Sequence, residues 1–170
     1  RKNLQLIIND KNEILNSLSN YYRDSYKKNL VNKYKAFLNY RVIGMGGSIL
    51  GTRTIYEFLN HKIKKNFLFV DNLQNTLSQS KKKTVNIIVS KSGNTIETIA
   101  NSNIILKKNN KNIFVTENKK NYLYQLAENL KGEIVHHNNY IGGRYSVLSE
   151  VGMLPAELMG LKSKNFRQFN

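Results

Sequence analysis

An apolar run of β type (Val85, Ile87, Ile88, Val89) stops abruptly at Ser90-Lys91-Ser92-Gly93-Asn94-Thr95. A helical pattern starts directly after it, with Ile96, Ile99, Ile104 and Ile105 expected along one side. A strand that is apolar at almost every position is buried on both faces, and that places it inside a parallel sheet covered by helices. The junction also has chemical content. Free N–H groups and the positive end of the helix dipole meet several hydroxyl donors there, with the Lys91 ammonium beside them. Such a turn is an anion cradle, and the ligand it suggests is a phosphate carried on a small molecule.

The same alternation runs through most of the chain. Strand-like segments fall at 40–43, 67–71, 85–90, 112–116 and 133–136, and helical segments at 48–60, 73–79, 95–109, 121–130 and 146–161. Right-handed crossovers turn this order into an α/β fold: a doubly wound, flavodoxin-like sheet of about five parallel strands flanked by helices. Ligands of such sheets bind outside the strand carboxyl ends, at the switch point. Residues 1–39 read as an N-terminal helical segment in two pieces. Leu4, Ile7, Ile8, Ile14, Leu15 and Leu18 supply its stripe, and Tyr21, Tyr22, Tyr26, Leu30, Tyr34, Phe37 and Leu38 continue it. Residues 40–170 form the ligand-binding domain. The one proline, Pro155, interrupts a helical pattern and is expected to kink or divide it.

Composition removes several functional classes. There is no cysteine, so neither disulfides nor thiolate metal sites exist, and His61, His136 and His137 are too few and too poorly spaced to suggest zinc. No apolar run approaches the roughly 20 residues that span a bilayer, so no membrane role is expected and a cytoplasmic location is. The chain begins at Arg1 without a methionine, as a fragment would. A net charge of +16 raises nucleic-acid binding. However, 21 of the 27 basic residues are lysine, and Lys, Asn and Ile are enriched together, as A/T-rich coding produces. Base readers favour arginine, so the lysines read as a solvated surface and no specific nucleic-acid partner is expected.

A second turn, Arg41–Gly51, reads RVIGMGGSILG. Gly44, Gly46 and Gly47 follow a strand and Ser48 opens a helix, either as a simple N-cap or as a further hydroxyl donor to an anion. Ile49 stands where a dinucleotide fingerprint needs its third glycine, and Thr52 where a Walker A loop needs lysine. In a doubly wound sheet this turn lies beside the first, so Ser48 would face Ser90, Lys91, Ser92 and Thr95. Glu97 reads as a first-turn carboxylate complementing the helix dipole. A third segment, Asn139–Gly160, reads NYIGGRYSVLSEVGMLPAELMG. Gly142 and Gly143 permit a sharp turn, Ser146 can cap the next helix, and Arg144 either faces the cradle or pairs with Glu150.

GGRYSVLSEVGMLPAELMG resembles the signature segment of the glucose-6-phosphate isomerase family. IGMGGSILG is similar to that family's first glycine-rich turn, and SKSGNTIET to its phosphate loop in the bacterial form; both are shared by the wider class of sugar isomerase (SIS) domains. The resemblance implies an SIS-type sheet and binding of a sugar phosphate, with no metal or organic cofactor. Ser48, Ser90, Ser92 and Thr95 would bind the phosphate with Lys91 near it, and Gly46, Gly47 and Gly143 would let the sugar lie against the backbone. Arg144 would be the catalytic group that stabilises a cis-enediol(ate) intermediate.

The implied reaction is aldose–ketose isomerisation of glucose 6-phosphate and fructose 6-phosphate, in glycolysis and gluconeogenesis, by a homodimer. The family's base, its ring-opening histidine and its second SIS domain come from later in the chain and have no counterpart here. His136 and His137 are read instead as the end of the fifth strand, and Glu150 and Glu157 as helix surface. The alternative is a non-catalytic SIS module that senses a phosphosugar. The 170 residues by themselves are expected to show no isomerase activity, and a preparation that turned over sugar phosphate above a catalytically dead control would contradict this.

Overall fold

The computed structural model describes residues 12–73 and 83–167. Two short helices, α1 (Glu13–Asn16) and α2 (Lys28–Tyr34), precede β1 (Asn39–Ile43), α3 (Gly47–Phe58), a 3-10 turn (Asn60–Lys62), β2 (Asn66–Val70) and β3 (Thr84–Val89). Then come α4 (Ile96–Ile105), β4 (Lys111–Glu117), α5 (Tyr122–Leu130), β5 (Glu133–His137), a 3-10 turn (Gly143–Leu148), α6 (Glu150–Met159) and a last 3-10 turn (Ser163–Arg167). The strands expected from the apolar runs are all present, each within one residue at either end.

All pairings are parallel and the order is β2-β1-β3-β4-β5. The direction of winding reverses at β1, which has β2 on one side and β3 on the other, with Ile43 opposite both Val70 and Ile88. The loops leaving β1 and β3 therefore flank the switch point.

Alternate side chains enter two cores, as the period of two along a strand requires. Val42, Val85, Ile87, Val115 and Val135 pack with Ile49 and Ile55 of α3 and with Val151, Leu154 and Leu158 of α6. Ile43, Val70, Ile88 and Phe114 pack on the opposite face with Ile105 of α4 and with Leu123 and Ala127 of α5. Helices on both faces explain why the strands read as nearly continuous apolar runs rather than alternating ones.

Three local expectations change. The isoleucines of α4 do not share a side: at about 100° per residue Ile105 stands about 180° from Ile96. Ile105 is buried, while Ile96 and Ile104 are exposed. The buried face is completed by the small polar residues Thr98, Asn101 and Ser102; Ser102 Oγ donates to the Thr98 carbonyl at 2.6 Å and Asn101 Nδ2 to the Asn72 carbonyl at 3.0 Å, while Thr98 Oγ1 and Asn101 Oδ1 are buried without a partner among the described residues. The N-terminal stripe is not continuous helix either. The chain leaves the helix between α1 and α2, so Tyr21 is exposed while Tyr22 and Tyr26 face the domain from irregular backbone. Leu4, Ile7 and Ile8, and residues 74–79 of the helix expected at 73–79, lie outside the described residues.

Pro155 does not divide α6, which runs without interruption from Glu150 to Met159. A proline lacks the N–H that would bond the carbonyl four residues back, here Val151. Thr52 of α3 fills that place: its buried hydroxyl donates to the Val151 carbonyl at 3.2 Å. Thr52→Val keeps the shape and deletes the donor, so it is expected to lower unfolding free energy by about 1–2 kcal/mol. Urea denaturation checks this, and an unchanged midpoint would contradict it.

Candidate phosphosugar site

Three loops meet above the carboxyl ends of β1 and β3. The first begins at Gly44, whose N–H continues the ladder to the Val70 carbonyl at 3.2 Å. Gly44 lies between the end of β3 and the start of α3: a methyl on it would stand 3.0 Å from the Val89 carbonyl and 3.3 Å from Ser48 Cβ. Ser48 is thereby placed beside the strand that leads into Ser90. Helix α3 starts one residue earlier than expected, at Gly47, after Gly46 turns the chain with φ of 55°. Ser48 is therefore not the N-cap, and its half-buried hydroxyl has no hydrogen-bond partner among the described residues.

The second loop is the cradle. Ser90 is buried and its hydroxyl pairs with that of Thr95 at 2.9 Å. Thr95 occupies the N-cap position of α4 but makes no capping bond with its side chain, so the first-turn N–H groups stay available. Ser92 is exposed and accepts from the Asn94 N–H at 3.3 Å, and Lys91 is half-buried. Glu97 sits in the first turn of α4, as expected.

Sequence reasoning missed what holds this loop still. Thr116 Oγ1 donates to the Lys91 carbonyl at 3.2 Å and accepts from Asn121 Nδ2 at 3.0 Å. Asn121 also caps α5 by accepting from the Tyr124 N–H at 2.9 Å. Gly93, with φ of 66°, packs directly against the Asn121 amide, where a side chain would collide. The β4–α5 junction thus clamps the cradle, and the available signal was an asparagine at a helix start opposite a glycine in a loop.

The third loop returns from the sheet edge to the first. Ser146 is not the cap of α6; it lies within the 3-10 turn, and its hydroxyl donates to the carbonyls of Gly143 at 2.7 Å and Gly47 at 3.3 Å. Ser149 caps α6 instead, accepting from the Val151 N–H at 3.4 Å. The backbone of Gly143 and Arg144 lies so close to Gly47 that a methyl there would overlap the Gly143 carbonyl. Arg144 follows at once, exposed and without a hydrogen-bond or ion-pair partner among the described residues. Gly46, Gly47 and Gly143 are therefore together, next to Ser48 and Arg144.

The alternative pairing of Arg144 with Glu150 does not occur, and Glu150 is not helix surface. It is fully buried at the start of α6, where its Oε1 lies 2.6 Å from His137 Nδ1 and accepts the Asn138 N–H at 2.8 Å, while Tyr22 donates to Oε2 at 3.1 Å. Packing selects the carboxylate because the strand end and helix start leave donors that an apolar residue could not satisfy. His136 and His137 do end β5, and Glu157 is half-buried and accepts from Ser163 Oγ at 2.5 Å. Among the described residues no cluster of acidic or imidazole groups is arranged to hold a metal, and no helix is long and apolar enough to cross a membrane.

Burial pushes the Glu150 carboxyl up, but the hydrogen bonds from His137 and Asn138 outweigh it and hold the group below its ordinary value of 4.5. A carboxylate favoured in the folded state stabilises the protein fully above that ordinary value, and the contribution disappears as pH falls through the lower folded value. The urea midpoint is therefore expected to drop between about pH 6 and about pH 3 by more in the parent protein than in Glu150→Gln. Equal drops would contradict this.

The phosphoglucose isomerase family model matches residues 8–169. The glucose-6-phosphate isomerase of Methanocaldococcus jannaschii is 36% identical over an alignment covering 82% of this chain and 38% of that protein. That of Campylobacter jejuni is 30% identical, covering 94% of this chain and 40% of its own length. The chain thus spans between about a quarter and two fifths of the length of the curated relatives it matches. Among solved structures, a hypothetical protein from Thermus thermophilus superposes with a TM-score of 0.74 at 24% identity, covering 96% of this chain and 43% of that one. Tagatose-6-phosphate ketose/aldose isomerase from Escherichia coli superposes at 0.66 with 19% identity, covering 91% and 49%. These two likenesses concern the fold.

Proposed function

Because this chain belongs to the phosphoglucose isomerase family, we propose that it supplies the phosphate site and one catalytic group of an enzyme that interconverts glucose 6-phosphate and fructose 6-phosphate. The observation that carries the reading is the convergence of three loops at the switch point. One brings Gly46, Gly47 and Ser48, one Ser90 to Thr95, and one Gly143 and Arg144. Hydroxyls of Ser48, Ser90, Ser92 and Thr95, with the Lys91 ammonium and the first-turn N–H groups of α4, take the phosphate oxygens. The small residues Gly46, Gly47 and Gly143 leave room for the sugar against the backbone.

Isomerisation moves a proton between carbons 1 and 2, and negative charge develops on the oxygens of the enediol(ate) as it leaves. Arg144, unpaired among the described residues and next to the glycine contact, is the group in this chain suited to stabilise that charge. The phosphate grip, remote from the reacting carbons, supplies binding energy that orients them. The base and the ring-opening acid come from the part of the protein beyond the length shared here, in a cytoplasmic homodimer serving glycolysis and gluconeogenesis.

The test is made in the protein expressed from its complete reading frame. Arg144→Ala is expected to lower kcat by about 100-fold or more while inorganic phosphate still competes with nearly parental affinity. Ser92→Ala is expected to do the reverse, raising KM several-fold with kcat largely kept. An Arg144→Ala protein that lost affinity with turnover intact would overturn the assignment.

A further inference from the structure

Building on the role proposed for Arg144, we infer that the buried His137–Glu150 pair, latched by Tyr22, is a positioning device that fixes the loop carrying that arginine. The loop leaves β5 at Asn138 and enters α6 at Glu150, so the two ends of the Arg144 segment are the two residues of the pair or their neighbours. Glu150 Oε1 ties both ends together, meeting His137 Nδ1 at 2.6 Å and the Asn138 N–H at 2.8 Å. The middle of the loop joins the same knot: His137 Nε2 lies 3.0 Å from the Ile141 carbonyl. A carbonyl only accepts, so Nε2 carries the proton of that bond. Ile141 is completely buried, and Gly142, Gly143 and Arg144 follow it. Loop start, middle and end thus meet in one cluster, in which His137, Ile141 and Glu150 are buried and Asn138 is half-buried.

The latch comes from the irregular N-terminal segment. Tyr22 donates to Glu150 Oε2 at 3.1 Å, and the Arg167 guanidinium lies over its ring at 4.9 Å. Arg167 is in turn gripped by both oxygens of Asp24, at 2.6 and 3.0 Å. Ser25 Oγ donates to the His136 carbonyl at 2.5 Å, fixing the same segment to the strand end.

Energetics separate this arrangement from ordinary packing. A buried polar or ionic pair is commonly no more stabilising than apolar residues of equal volume, and its best-attested use is to specify one arrangement. Here that arrangement sets the seat of Gly143 on Gly47, a contact without room for a methyl group, so a displaced loop cannot keep Arg144 in place. None of the three side chains acts on the substrate. They act through Arg144.

The experiment uses the protein from its complete reading frame and compares Glu150→Ala, Glu150→Gln and Tyr22→Phe. Peptide-level hydrogen exchange is expected to rise about tenfold or more across residues 138–149 in Glu150→Ala, with the β3 and β4 amides unchanged. In that variant kcat falls about tenfold or more while affinity for inorganic phosphate stays within about twofold. Glu150→Gln keeps an acceptor for His137 and Asn138 and recovers part of kcat; Tyr22→Phe shows the same pattern at several-fold size.

Exchange across 138–149 that stays at the parental rate in a folded variant overturns the inference. So does a joint fall of kcat and phosphate affinity. Should Glu150→Ala lose protection throughout the sheet, Tyr22→Phe decides by the same two readouts. A parental protein without isomerase activity defeats the proposed function, and the exchange measurement then still decides whether the pair fixes the loop.

Discussion

The site depends on a backbone contact between two glycine-containing turns that are far apart in sequence. Gly47 opens α3 and Gly143 opens the turn after β5, and their main chains touch with no space for a side chain on Gly47. The contact is extended by Val147, whose side chain lies against Gly51 and whose carbonyl lies against Gly152. Helix α3 and helix α6 are thereby drawn together over one face of the sheet, where Ile49, Ile55, Val151 and Leu154 share a core. Thr52 adds a polar link across that seam, at the carbonyl that Pro155 leaves free. The seat of the third loop against the first follows from this junction.

A division of labour results. The cradle Ser90–Thr95 is braced from the other side of the sheet by Thr116 and Asn121, whereas Arg144 is braced by the α3–α6 seam and the cluster around Glu150. The two functional halves of the site share the strand ends but have separate supports. Under the proposed function, perturbing one support is expected to leave the other in place, so binding and turnover are expected to respond separately.

The sheet was legible because the central strands β1, β3 and β4 are buried on both faces, and nearly continuous apolar runs between helical patterns leave few alternatives. The three loops of the candidate site were legible as turns because glycines and hydroxyls cluster where strands end. The less legible features are long-range and polar. Glu150 reads as helix surface until the donors of Asn138, His137 and Tyr22 are brought around it, 128 residues of separation lying between Tyr22 and Glu150. The isoleucines of α4 read as a stripe, although their spacing places Ile96 and Ile105 on opposite sides. Ser146 and Ser149 are both plausible caps, and only the proximity of the Gly47 carbonyl decides that Ser146 is engaged elsewhere.

The central claim is that one phosphate-bearing ligand is held between the first and second loops and reached by the third. The most direct measurement is an amide chemical-shift titration of the protein from its complete reading frame with fructose 6-phosphate, repeated with inorganic phosphate. The account predicts that both ligands shift the amides of Gly46–Ser48 and Ser90–Thr95, and that only the sugar phosphate also moves Gly143 and Arg144. Shifts confined to the lysine-rich turns near Lys107–Lys108 and Lys119–Lys120, with the three loops silent, would contradict it.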